Sequence, residues 1–289
     1  MRNSKLTPVI LLLPLMAVTL TVIIACVNVL LQSIGYVPAF GLTKITLGYY
    51  REVFKRPEFL SALWVSLRIA FVSTLLAAAL GTLLCAALVK RRAGGGMLYT
   101  VRFPILVPHT VVALFIMTLL GQTGIVARAA YGLGLISDYT KFPQILFTPG
   151  YGGAIAGYLW KEIPFVAYYT LALMASVSNT LGEAAENLGA SPLRSFFSVT
   201  LPMSLPAVSE AALIIFIYAF GGYELPALLG STLPKALPVQ AYITYLSPDL
   251  LQRPLAMAMF GVILMLSVLM AALYSIGIRR LIKRLGGEE

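Results

Sequence analysis

The chain has 289 residues, 59% of them hydrophobic and only 11% charged, with a formal net charge of +10 at pH 7. Soluble domains hold about a quarter of their residues as Asp, Glu, Lys and Arg, so the composition excludes an ordinary soluble enzyme or binding module and predicts an all-α membrane protein. The positive charge does not mark a nucleic-acid binder, because the basic residues flank apolar runs instead of forming one basic domain.

A helix needs about 20 apolar residues to cross a hydrocarbon core of roughly 30 Å. Six runs qualify, at about 8–31, 61–89, 98–121, 150–178, 207–230 and 255–278. The first follows Arg2 and Lys5. It is longer than the apolar region of a signal peptide and no Ala-x-Ala site follows it, so it reads as an uncleaved span. The mixed segment 33–60 carries Tyr49 and Tyr50, which suit a membrane interface. The second run ends at the basic turn Lys90-Arg91-Arg92-Ala93-Gly94-Gly95-Gly96; a phosphate-binding loop requires Gly-Lys, and the chain has no such pair. No ATP hydrolysis is expected from this chain. Pro104 and Pro108 lie in the first half of the third run, where the carbonyls they free must be satisfied by packed neighbours. The segment 122–148 reads as a compact loop with one helical turn. The fourth run opens with Gly153-x-x-x-Gly157, which lets another helix approach closely.

Between the fourth and fifth runs lies the stretch from Asn179 to Pro202, read as two short helices bent at Gly189. Thr180 and Glu183 form a capping-box pattern that starts the first. Gly189 ends it in the left-handed conformation, Ser191 caps the second with Pro192 at its first position, and Pro202 closes it. The stretch has no nucleophile beside a base and no metal-ligand set. It presents small alanines beside carboxylates with Leu193, Phe196 and Phe197 behind them, the makings of a docking surface.

Glu183-Ala184-Ala185, three residues, Gly189, nine residues, Val199, one residue, Leu201-Pro202 resembles the EAA coupling loop of type I ABC importer permeases. Val199 stands where that family usually has isoleucine, and Leu188 where many members have aspartate. Upstream, Trp160, three residues, Pro164-Phe165 is similar to the same family, and the resemblance covers the chain from about Ser61 onward. It implies the type I ABC importer permease fold: six transmembrane helices, both termini cytoplasmic, in a bacterial cytoplasmic (inner) membrane. The basic residues agree, since Arg2, Lys5, Lys90, Arg91, Arg92, Arg194, Arg279, Arg280, Lys283 and Arg284 fall on the inner side of that topology. Residues 1–60 then form an N-terminal helix and outer loop, 61–278 the permease domain with its coupling loop at 179–206, and 279–289 a basic cytoplasmic tail. The implied partners are two ATPase subunits, a second permease subunit that is usually a different chain, an extracytoplasmic solute-binding protein and the lipid bilayer. No cofactor is expected on this chain, ATP and Mg belonging to the ATPase subunits. Glu183, Ala184, Ala185, Gly189, Ser191 and Arg194 would carry the ATPase contact.

Charges inside spans are costly and mark functional candidates. Arg68 in the second run and Glu224 in the fifth lie at similar depth and are placed to pair, either as part of a gate or as a structural bridge. Lys161 and Glu162, adjacent and so about 100° apart on a helix, cannot share one face, and Glu162 is the candidate to face the pathway. Tyr223 joins these as a pathway candidate. Glu210 reads as an anchor near the inner end of its span, and His109, with no ligand partners at metal spacing, as a satisfied core histidine. Cys26 and Cys85 read as packing residues that do not meet in a disulfide.

Phe220 through Gly230 is similar to the fifth-span ending of the polyamine-type branch of these permeases, which implies spermidine or putrescine as cargo; the same branch also includes carriers for ferric iron, phosphonates, thiamine and small organic acids. The rival from another class is a secondary transporter or channel that needs no ATPase. It accounts for the buried charges and leaves the bent inner loop without a purpose. A purely structural membrane scaffold is the third alternative.

Overall fold

The computed structural model describes residues 7–284, with side chains described for 11–277. The basic side chains of Arg2, Lys5, Arg279, Arg280, Lys283 and Arg284, and the tail beyond, lie outside the described residues. Among the described residues the chain is helical, with one isolated bridge between Val37 and Leu42.

Helix α1 (Thr7–Ser33) keeps its run through Pro14 and exposes an apolar surface from Leu11 onward. Helix α2 (Gly48–Lys55) is short and amphipathic. Helix α3 (Pro57–Lys90) starts on proline, carries Glu58 in its first turn and Lys90 in its last, charges placed to complement the helix dipole. The third apolar run is not one rod, contrary to the sequence expectation. It divides into α4 (Gly95–Leu106) and α5 (His109–Leu120), because Pro108 lacks an N–H and holds Val107 in the extended region. The loop beyond is richer than one turn: α6 (Ile125–Gly132) is followed by a 3₁₀ turn, Tyr139–Lys141, capped by Asp138. Hydrogen bonds from the Thr140 hydroxyl and backbone N–H hold the Asp138 carboxyl below its usual pKa.

Helix α7 (Gly152–Val177) passes through a π-helical turn (Ser178–Gly182) into α8 (Glu183–Asn187). After the bend, α9 (Pro192–Ser195) leads through a second π turn (Phe196–Thr200) into α10 (Leu201–Gly221). The fifth run also stops early, since α10 ends at Gly221 and α11 (Glu224–Leu229) is separate. Helices α12 (Leu237–Tyr245) and α13 (Arg253–Arg284) complete the chain.

Among the described residues five helical stretches are long and apolar enough to cross a membrane: Leu11–Ser33, Pro57–Lys90, His109–Gly132, Pro192–Gly221 and Leu250–Gly277. Helix α7 has 26 residues, about 39 Å at 1.5 Å each, but dilutes its apolar surface with Lys161, Glu162 and Pro164, so it matches the expected sixth span by length only.

The chain divides into two compact units. One comprises residues 1–60 and 240–266. Within it Tyr50 Oη donates to Ser33 Oγ (2.8 Å) and lies against Gly261, where an added Cβ would meet that oxygen at 2.3 Å. Arg253 sits over the Tyr245 ring, 4.1 Å from its centroid, a cation–π contact. The other unit comprises 61–239 and 267–289, with α7 packed against α4, α5, α10 and α11. Its core joins Ala77 of α3, Val166 of α7, and Ala211 and Ile215 of α10, all fully buried. At Gly81 a Cβ would lie 2.6 Å from that of Val166, so α3 and α7 touch there because glycine has no side chain. Gly157 likewise lets Leu225 of α11 close onto α7, as the Gly-x-x-x-Gly pattern predicted.

Candidate functional site: the elbow and a buried polar cluster

The elbow at 179–202 differs from its sequence reading at both ends. Thr180 does not start a helix. Helix α7 continues through the π turn, and the Thr180 hydroxyl donates back to the Ser176 carbonyl (2.8 Å), so no capping box forms. The bend itself is as expected: Gly189 has φ +94° and open space where a Cβ would stand, so the position demands a backbone conformation and not a small side chain. Gly189 N–H donates to Glu186 O (2.9 Å) and Ala190 N–H to Ala185 O (3.0 Å), closing the end of α8. Ser191 Oγ accepts from Arg194 N–H (3.4 Å) with Pro192 at the first helical position. Pro202 does not end the second arm. It sits where the hydrogen-bond register changes from π to α, a place where the ladder already leaves a carbonyl without a donor, so 192–221 forms one continuous rod.

The two arms meet on the inner side of the elbow, where buried Ser195 donates its hydroxyl to the Gly182 carbonyl (3.0 Å). Phe196 packs toward the core of Cys85, Leu88, Ala167 and Met174. The outer side is free. Glu183, Ala184, Gly189, Ser191 and Arg194 are exposed and Ala185 half-buried, while Leu188 and Leu193 are 90% and 72% exposed. Large apolar side chains held out at the bend, with carboxylates beside them, make an exposed patch of the kind that marks interaction sites in other proteins. Glu183 faces Arg92 of the α3–α4 turn at 3.6 Å, both well exposed. Such a pair contributes little and exchanges easily for another partner.

A second feature lies in the same unit, at the break between α4 and α5. The break leaves the Val107 carbonyl outside the helix ladder, and buried Lys161 of α7 donates its ammonium to it (2.6 Å). The same Nζ lies 3.4 Å from His109 Nδ1, which Tyr218 Oη of α10 also approaches at 3.1 Å. The His109 ring leans on Tyr218 and Tyr158, and its Nε2 is buried with no hydrogen-bond partner. Among the described residues His109 is thus packed and partnered at Nδ1, as a core histidine would be, but not at Nε2. Glu162 is buried beside Lys161.

Arg68 and Glu224 do not pair. The Arg68 guanidinium donates to the Pro149 carbonyl instead. Glu224 is not deep in a continuous span: Gly222 is extended with Tyr158 Oη against it, an added Cβ lying 2.0 Å from that oxygen, and Glu224 opens α11 from an exposed position beside exposed Tyr223. Sequence reading missed Tyr218 altogether and gave Arg92 a part in topology but not its place opposite Glu183. The only advance sign of the cluster was Pro108 next to the single histidine.

Residues 73–285 match the family model described as the binding-protein-dependent transport system inner membrane component. The chain belongs to this family. It is the membrane-embedded permease component of ABC importers. The permease is 24% identical over 233 residues to the molybdenum transport system permease protein ModB of Haemophilus influenzae, covering 78% of this chain and 96% of that protein. It is 26% identical to the putrescine transport system permease protein PotI of Escherichia coli K12, covering 58% of this chain and 55% of that one. Among solved structures, a chain of the bacterial alginate ABC transporter in complex with alginate pentasaccharide-bound periplasmic protein superposes with a TM-score of 0.74 at 19% identity, over 96% of the permease and 97% of that chain. At that identity the likeness establishes the fold alone. The named solutes of the similar proteins range from molybdenum to putrescine and sn-glycerol-3-phosphate, so similarity supports an importer permease without selecting the polyamine branch.

Proposed function

We propose that the permease forms half of a translocation pathway driven by separate ATPase subunits that dock on the elbow. The observation that carries this reading is the exposed face around Glu183, Ala184, Ala185, Gly189, Ser191 and Arg194, set on helices that run without interruption into the bundle. A push on the elbow tilts the rod 192–221 as one body. Two ATPase subunits, a second permease chain of different sequence and an extracytoplasmic solute-binding protein complete the assembly, with ATP and Mg held by the ATPase subunits and none by this chain. The six-span topology has both termini and the elbow on the cytoplasmic side of a bacterial inner membrane. Arg68, Lys161, Glu162, Tyr223 and Glu224 belong to the pathway half.

Affinity purification of the tagged chain from its native host tests this. The ATPase subunit should accompany it, and ATP turnover of the complex should rise when the binding protein is added. A chain that transports alone on an ion gradient would support the rival secondary transporter.

For the cargo we propose a polyamine. The Phe220–Gly230 stretch and the carboxylates of Glu162 and Glu224 support a cationic solute, as does the similarity to a putrescine permease. A second reading, a small oxyanion, is favoured by Lys161 and His109 at the helix break and by the similarity to ModB. Calorimetric titration of the cognate binding protein with putrescine, spermidine and molybdate separates the two.

A further inference from the structure

At the α4–α5 break two polar side chains converge on one imidazole nitrogen. Lys161 Nζ and Tyr218 Oη both come within 3.4 Å of His109 Nδ1, whose single lone pair in one tautomer, or single N–H in the other, serves one of them at a time, while His109 Nε2 is buried with no partner among the described residues. A fixed structural cap would have its polar atoms satisfied, because an unmet buried donor or acceptor is expensive. Lys161 meanwhile rests on a neutral carbonyl although the carboxylates of Glu162 and Glu224 are close enough to act on it electrostatically, and neither forms an ion pair with it. Glu162 is its neighbour on α7 and points about 100° away. Glu224 stands on α11, which packs on both α5, bearing His109, and α7, bearing Lys161. Tyr158, the remaining polar group at the cluster, is buried behind the imidazole.

Resting on the importer reading above, we propose that Lys161 is a two-position latch of the transport cycle. In this state its ammonium holds the Val107 carbonyl and so fixes the break between α4 and α5. In the alternate state it releases Val107 and pairs with the Glu224 carboxylate, and Tyr218 keeps the His109 nitrogen that Lys161 leaves. The release is driven from the elbow. Tyr218 lies on the same unbroken rod as Arg194, about 36 Å along the helix axis at 1.5 Å per residue, so tilting the elbow arm moves the Tyr218 hydroxyl against His109. Lys161 and Tyr218 are positioning residues here and need not touch the solute.

The test uses the complete transporter, with its ATPase, partner permease and binding protein, in lipid nanodiscs, and reads phosphate release from ATP with and without binding protein. Lys161→Gln and Glu224→Gln should each lower binding-protein-stimulated turnover about ten-fold, the scale of one hydrogen bond to a charged group. The double variant should be no slower than the slower single, because both remove the same pair, and Lys161→Arg should restore most of the rate. Wild-type turnover in Glu224→Gln, or single effects that multiply in the double, would overturn the latch. If Lys161→Gln fails to assemble with the ATPase, Glu224→Gln and Tyr218→Phe decide: slowed turnover in both supports the latch and wild-type turnover overturns it. Failure of the importer reading would look different, since the wild-type chain would then bring down no ATPase subunit at all.

Discussion

Gly189 shows what a single position contributes to the permease. Its φ of +94° lies where an L side chain is strained, and a β-branched residue there costs about 1–3 kcal/mol. Because nothing lies within 4 Å of the missing Cβ, that strain acts on the bend and not on packing. Gly189→Val should therefore insert normally and lose association with the ATPase subunit, which co-purification measures. Ser195→Ala probes the inner side of the same bend: it leaves the Gly182 carbonyl without its 3.0 Å donor and should lower stability by about 1–3 kcal/mol, seen as a lower melting temperature in detergent. Gly189, Ser191 and Pro192 were legible in the sequence because each acts on backbone within three residues of itself. Ser195 was not, since its partner is thirteen residues away and only the π turns bring them together. The same reason hid Tyr218 and the place of Arg92, which depend on which helix arrives beside them.

The two π turns, Ser178–Gly182 and Phe196–Thr200, flank the elbow and carry the chain smoothly from α7 into the bend and from the bend into α10. Local rules placed helix ends at Thr180 and Pro202, because a Thr-x-x-Glu pattern and a proline are ordinary end signals. A π turn overrides both by shifting the hydrogen-bond register, and no residue pattern announced it. Deleting Ser198 should remove the one residue the second π turn holds in excess of an α turn, convert it to α-helix without rotating α10 and so leave uptake largely intact, measured by radiolabelled-solute uptake in cells. The break at Val107 was half legible: Pro104 and Pro108 announced freed carbonyls, but not that Lys161 receives one. Gly81 marks the opposite case, a glycine unremarked in the sequence that sets the α3–α7 contact. Gly81→Ala would place a methyl 2.8 Å from the Ile163 carbonyl, and should destabilise the fold by about 1–3 kcal/mol, read as a lower melting temperature.

At the scale of the whole chain, composition and apolar run length disclosed the class, and the spacing from Glu183 to Pro202 disclosed the family, because that pattern is held in a short contiguous stretch. Span count was less legible. Helix α7 dilutes its hydropathy with the polar residues that join it to the α4–α5 break, so the element at the centre of its unit is a long helix that does not stand out as a span by composition. The solute stayed hidden for a related reason: the candidate pathway residues come from α3, α7 and α11, and their charges are of both signs. The central claim is that an external motor grips the elbow. A photo-crosslinking amino acid placed at Leu188, 90% exposed at the tip of the bend, measures this in the assembled transporter. A covalent adduct with the ATPase subunit that strengthens when ATP is bound is expected; a complex that hydrolyses ATP and imports solute while Leu188 crosslinks only to lipid would rule the motor's grip out.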